Sequence, residues 1–177
     1  MHPPLSKSRE QFLLLTLAGI QFVHILDFMI MMPLGPILLE AFAIGTPEFG
    51  LLVASYSFSA AVSGLLGATF IDRFERKRLL LIVFALFGLA TLACGLSPGY
   101  TTLLVARGLA GAFGGVMGAL VQTIVGDAIP FARRAKASGI IATAFSVSTV
   151  AGVPLSLWLA SHFQWRAPFI FIALLSL

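Results

Sequence analysis

Charged residues are scarce in this 177-residue sequence, and several stand in apolar surroundings. Asp27 and His24 fall inside an apolar run from Leu13 to Leu39, and Arg107 inside another from Leu103 to Val125. A carboxyl and a guanidinium in such places can neutralise each other, hold a charged ligand group, or pass a proton. His24 stands three residues before Asp27 and shares its helix face, so it is either a proton relay or a hydrogen-bonded core residue. Gln122, on the run that carries Arg107, is a candidate for ligand contact or for a hydrogen bond between helices. A second group comprises Asp72, Arg73, Arg76 and Lys77, together with Asp127. Asp72 and Asp127 come at the carboxyl ends of predicted helices, where the helix dipole disfavours negative charge. Each should therefore have a partner from elsewhere.

Composition says what holds these residues. Apolar residues make up 59% of the chain and charged ones 10%, against about 25% charged in an ordinary soluble domain. The mean hydropathy is +1.02. These values exclude a disordered chain, a disulfide scaffold and an ordinary soluble globule, and indicate an all-α protein embedded in a lipid bilayer. The net charge of +4 comes from short basic stretches between apolar runs, which set topology and do not suggest nucleic acid. Cys94 is the single cysteine and suits small-residue packing. No zinc-type spacing, nucleophile elbow or pair of carboxylates suggests an enzyme, a metal or a bound cofactor. The glycines from Gly108 to Gly118 lack the Gly-Lys-Ser/Thr of a nucleotide loop.

The apolar runs give spans near 13–39, 49–71, 79–96, 103–125 and 138–160, after a polar leader over 1–12. A sixth starts near Ala167 and reaches Leu177. Its eleven residues rise only about 16 Å, roughly half of a hydrocarbon core of about 30 Å. Either the chain is a fragment or its last helix ends in mid-membrane. Nine of the eleven basic residues fall in the leader and in the loops after spans two and four, which share one side. The positive-inside rule makes that side cytoplasmic, with the amino terminus, in a plasma (inner) membrane. Counting along the helices puts Asp27 about 21 Å from the cytoplasmic boundary and Arg107 about 6 Å from the outer one. The two depths nearly coincide, so the pair can meet.

Small residues mark the helix contacts. Span two carries Ser55, Ser59, Ser63 and Gly67, and span five carries Ala144, Ser148, Gly152 and Ser156. The two ladders are 89 residues apart throughout. Three helices per repeat is an odd number, so the second copy must be inverted in the membrane, as in transporter architectures. Gly111 with Gly115, and Gly114 with Gly118, form GxxxG pairs that permit close helix approach. Pro33, Pro36 and Pro154 each remove a backbone hydrogen bond and predict bends, serving either a rocking motion or a static kink.

After span two the sequence reads GLLGATFIDRFERKRLL, which resembles the signature loop of the major facilitator superfamily, matched at Asp72, Arg73, Arg76 and Lys77. Ala68 and Glu75 replace its glycines. LLVARGLAGAFGG is similar to the family's Arg-x-x-x-Gly element, matched by Arg107 and Gly111. AGVPLSLWLASHFQWRAPF resembles the Gly-Val-Pro-Leu-Gly stretch and Gly-Trp-Arg loop of drug and sugar (arabinose-type) efflux permeases, with Ser156 and Gln164 in place of glycines. The resemblance implies the amino-terminal half of a twelve-helix transporter: residues 1–177 as one half-domain with five full spans and a truncated sixth, in inverted three-helix repeats. It implies proton-coupled efflux of a small organic molecule by alternating access, with Asp27 and Arg107 on cavity-lining helices. It further implies a latch in which Asp72 faces a helix amino terminus of the opposite half and Arg76 bridges toward Asp127. Its partners would be a substrate, a proton, the bilayer and a missing carboxy-terminal half or second chain. The alternative is a non-transporting half-module that homodimerises or pairs with another membrane chain, its two ladders left without partners.

Overall fold

The computed structural model describes residues 7–176, and among them every regular element is helical. The order is α1 (Lys7–Met29), α2 (Met31–Phe42), α3 (Thr46–Phe70), a 3-10 turn (Ile71–Arg73), α4 (Arg76–Gly95) and α5 (Tyr100–Ala128). Then come α6 (Phe131–Val147), a π-helical turn (Ser148–Gly152), α7 (Val153–His162) and α8 (Ala167–Ser176). Five helical stretches are long and apolar enough to cross a membrane: Lys7–Met29, Thr46–Arg73, Arg76–Gly95, Tyr100–Ala128 and Phe131–His162. The chain is thus a multi-pass membrane protein.

The helices run past the apolar limits, because a polar end costs a helix nothing in water and caps decide where it stops. Part of the expected leader is helical, since α1 begins at Lys7. Leu13 to Leu39 is not one unbroken span: α1 and α2 meet at Ile30. The ladder is kept on either side, with Ile30 N–H donating to the Leu26 carbonyl at 3.0 Å and Leu34 N–H to Ile30 at 3.1 Å. Pro33 has no N–H for the Met29 carbonyl, and the break falls there. Ala43 ends α2 in the left-handed conformation at φ 50°. Pro154 has the same effect differently: the helix ahead of it widens into the π turn that contains Val150.

Packing follows the small residues. α3 lies against α5, and α4 against α5 and α8. α1 packs on α6 and on the π turn. A methyl group at Gly111 would strike the Tyr56 carbonyl and come within 2.8 Å of Tyr56 Cα. At Gly115 it would strike the Ala60 carbonyl. The backbones of α3 and α5 therefore touch, as small residues allow in lipid. Ser148 donates its hydroxyl to the Phe22 carbonyl at 3.0 Å, and a Cβ on Gly152 would lie 2.6 Å from Leu26 Cδ1. This corrects the idea that the ladders lack partners: one is taken by α5 and the other by α1. The inverted repeat appears in these contacts. Shifting each partner by 89 residues, in opposite directions, turns the Ser63–Gly115 contact into the Gly152–Leu26 contact.

Candidate functional site

Asp27 and Arg107 are brought together at the centre of the bundle. Arg107 Nη1 donates to Asp27 Oδ2 at 2.9 Å and to the Asp27 carbonyl at 3.2 Å. Both side chains are 0% exposed, so the pair has given up all hydration. Such burial costs several kcal/mol per ion, recovered only through mutual attraction and further hydrogen bonds. The recovery is incomplete. Thr91 lends Asp27 a side-chain hydrogen bond, but Arg107 Nε and Nη2, the Tyr56 hydroxyl and both His24 ring nitrogens are buried without a partner. Groups in that state stand ready to bond a proton or a ligand's polar atoms.

An aromatic wall borders the pair. Arg107 Cζ sits 4.3 Å from the centre of the Tyr56 ring, and Tyr56 in turn lies 6.2 Å from His24 and 5.6 Å from Phe28. Gly114 makes room for this group. A Cβ there would come within 2.7 Å of His24 Nε2 and 2.9 Å of the Tyr56 hydroxyl. Beside the wall a largely apolar pocket of about 300 Å³ opens between α1, α3 and α6, lined by His24, Phe28, Met29, Tyr56, Ala60 and Phe145. Gln122 does not join it, being exposed on another part of α5.

The second cluster lies at the end of the bundle that carries the start of α1. Arg76 Nη2 bonds Asp72 Oδ1 at 2.6 Å, its Nε bonds Asp127 Oδ2 at 3.0 Å, and its Nη1 donates to the Ile71 carbonyl at 2.6 Å. One guanidinium thus joins the end of α3, the start of α4 and the end of α5. Arg73 and Lys77 stand exposed beside it, with no bond to these carboxylates. Two neighbours were not expected. Arg134 caps α5, donating to the Gly126 carbonyl at 2.6 Å and the Ile129 carbonyl at 3.0 Å. Arg133 pairs with Glu10 at 2.8 Å and fastens α6 to α1. Charge placement assigned both arginines to topology alone. Tyr56 and Thr91 carry no signal in the sequence, since an uncharged residue in an apolar helix has none of its own, and Gly114 reads there only as a packing glycine. Among the described residues no cluster of three His, Cys, Asp or Glu side chains could hold a metal.

A bent, small-residue-packed bundle with an inverted repeat and a buried ion pair beside an apolar pocket defines a multi-pass helical membrane protein. Comparison with known proteins gives the same class: the profile of the Major Facilitator Superfamily matches residues 17–177, and the chain belongs to that family. It is 34% identical over 164 residues to the multidrug resistance protein Stp of Mycobacterium tuberculosis (strain ATCC 25618 / H37Rv), covering 92% of this chain and 30% of that protein. It is 30% identical to the uncharacterized MFS-type transporter YhcA of Bacillus subtilis (strain 168), covering 93% of this chain and 31% of the relative. In fold it is similar to a bacterial homolog of the human lysosomal transporter Spinster in an inward-facing, unoccupied conformation. That likeness has a TM-score of 0.82 at 20% identity, over 97% of this chain and 42% of the other. The chain spans about a third of the length of these curated relatives.

Proposed function

We propose that this bundle is one half of a proton-coupled exporter of small organic molecules that works by alternating access. It moves its substrate without covalent chemistry and works in a plasma membrane with the amino terminus in the cytoplasm, opposite a second bundle. The observation that carries the reading is the fully buried Asp27–Arg107 pair, with Arg107 Nε and Nη2 unbonded, beside a pocket of ligand size. A carboxyl held between desolvation and an adjacent guanidinium changes protonation whenever either influence changes. Rocking of the bundle or arrival of a substrate supplies that change. His24, three residues before Asp27, lines the pocket with its ring. Multidrug resistance protein Stp, a relative by sequence, bears a name that fits the export direction. The Arg76 cluster sits where the cytoplasmic gate of such a machine would close.

The test is Asp27→Asn in the transporter that contains this bundle, reconstituted with an imposed pH gradient. Substrate flux driven by the gradient should disappear while substrate binding is retained. Unchanged proton-driven flux would remove Asp27 from the coupling step.

A further inference from the structure

One face of α1 carries more than the pocket at its centre. Lys7, Gln11, Leu14, Ala18, Gln21, Ile25 and Phe28 follow one another at steps of three and four, which puts them on a single stripe. At the inner end the stripe forms the wall of the pocket with His24 and Phe145. At the end near Lys7 it forms a second cavity of about 360 Å³ with α6, rimmed by Lys7, Glu10, Gln11, Arg133 and Lys136 and floored by Leu14, Ala137 and Ile140. Ala18 and Gln21 between them are half-buried and Leu14 is buried, so the two cavities are linked by a stripe that is only partly accessible. Gln21 Oε1 is buried in it without a hydrogen-bond partner. From Lys7 to His24 the stripe that joins the two cavities runs about 26 Å along the helix axis.

The charges are distributed unevenly along it. Arg133 is neutralised by Glu10, which leaves Lys7 and Lys136 as the net charge of the mouth. At the inner end Asp27 and Arg107 cancel, and one guanidinium already lies over the face of Tyr56. A cation would meet repulsion at the mouth and an occupied aromatic ring at the pocket. We infer that the α1–α6 groove recognises an amphiphile with an anionic head, which sits between Lys7 and Lys136 while its apolar body lies along Leu14, Ala18 and Ile25 toward Phe28. This rests on the transport reading above and names the substrate class of its site.

The test measures binding alone, so it stands apart from the flux test on Asp27. The protein is placed in nanodiscs of zwitterionic lipid with a reporter tryptophan introduced by Gln11→Trp. Quenching of that reporter is compared for bromododecanoate and bromododecyl trimethylammonium. The unsubstituted protein, whose Trp158 and Trp165 lie at the far end of the bundle, gives the baseline for partition into lipid. Bromododecanoate should quench saturably at the lower concentration. The double substitution Lys7→Gln and Lys136→Gln should weaken it about twenty-fivefold, at about fivefold per lysine. Lys7→Arg with Lys136→Arg should restore it, which separates charge from folding. Equal quenching by the two head groups, or quenching untouched by the glutamines, would overturn the inference.

Discussion

Asp27 and Arg107 are locked to each other by the cost of being alone. Removing one partner of a buried pair strands the other charge and costs about 3–5 kcal/mol, whereas replacing both by apolar residues of similar size is often neutral. Arg107→Leu alone should therefore lower the thermal stability of the purified protein strongly. Asp27→Leu with Arg107→Leu should recover most of it, measured by tryptophan fluorescence on heating. The double variant should still fail in proton-driven flux, because a leucine pair holds no proton. Recovery of both stability and flux would make the pair a structural fastener and nothing more. These two residues were legible in the sequence because charge is rare in lipid and depth can be counted along a helix. Their surroundings were not. Thr91 and Tyr56 reach the pair from α4 and α3 through the way those helices are rotated, and no sequence spacing reports that rotation. Gly114 looked like one member of a GxxxG pair, yet its bare Cα makes room for His24 and Tyr56. Gln122, chosen for its polarity, proved to be exposed on a different part of its helix.

Between helices, the glycines of α5 differ in what they do. Gly115 leaves no space for a Cβ beside the Ala60 carbonyl of α3, while Gly118 has nothing within 4 Å. Gly115→Ala must push two backbones apart and should cost about 1–3 kcal/mol, the usual cost of overpacking. Gly118→Ala should change the melting temperature little and in the favourable direction, since alanine suits a helix better than glycine. Comparing the two in the same detergent checks this. Equal changes in the two variants would mean that the α3–α5 contact does not set their effect. The number of apolar helices and their small-residue seams could be read from hydropathy and spacing, because lipid imposes a length and close packing imposes a period of four. The break at Ile30 was harder to place. A proline marks a freed carbonyl one turn earlier, but whether the helix bends, stops or widens depends on its neighbours, and Pro33 and Pro154 produced two different answers.

At the level of the whole bundle, the contacts form two sets, α1 with α6 and the π turn, and α5 with α3 and α4, joined by α8 and at the centre by Asp27–Arg107. At the basic end Glu10–Arg133 fastens the first set and the Arg76 hub fastens the second. The hub's carboxylates are largely exposed, Asp72 at 76% and Asp127 at 58%. Exposed ion pairs contribute about 0–1 kcal/mol each, so the hub adds little to the stability of the fold. If it holds the end of the bundle in the shape that a closed gate requires, its removal should change opening far more than melting. Arg76→Gln and Asp127→Asn should each leave the melting temperature within a few degrees of the parent. Both should raise the labelling rate of a cysteine placed at Gln11 by maleimide in the assembled transporter, with buried Cys94 replaced by alanine. The two variants remove bonds from the same guanidinium, so they should act in the same direction, and combining them should add little. Labelling unchanged in both would leave Arg76 as a staple for the ends of α3, α4 and α5, with no part in opening.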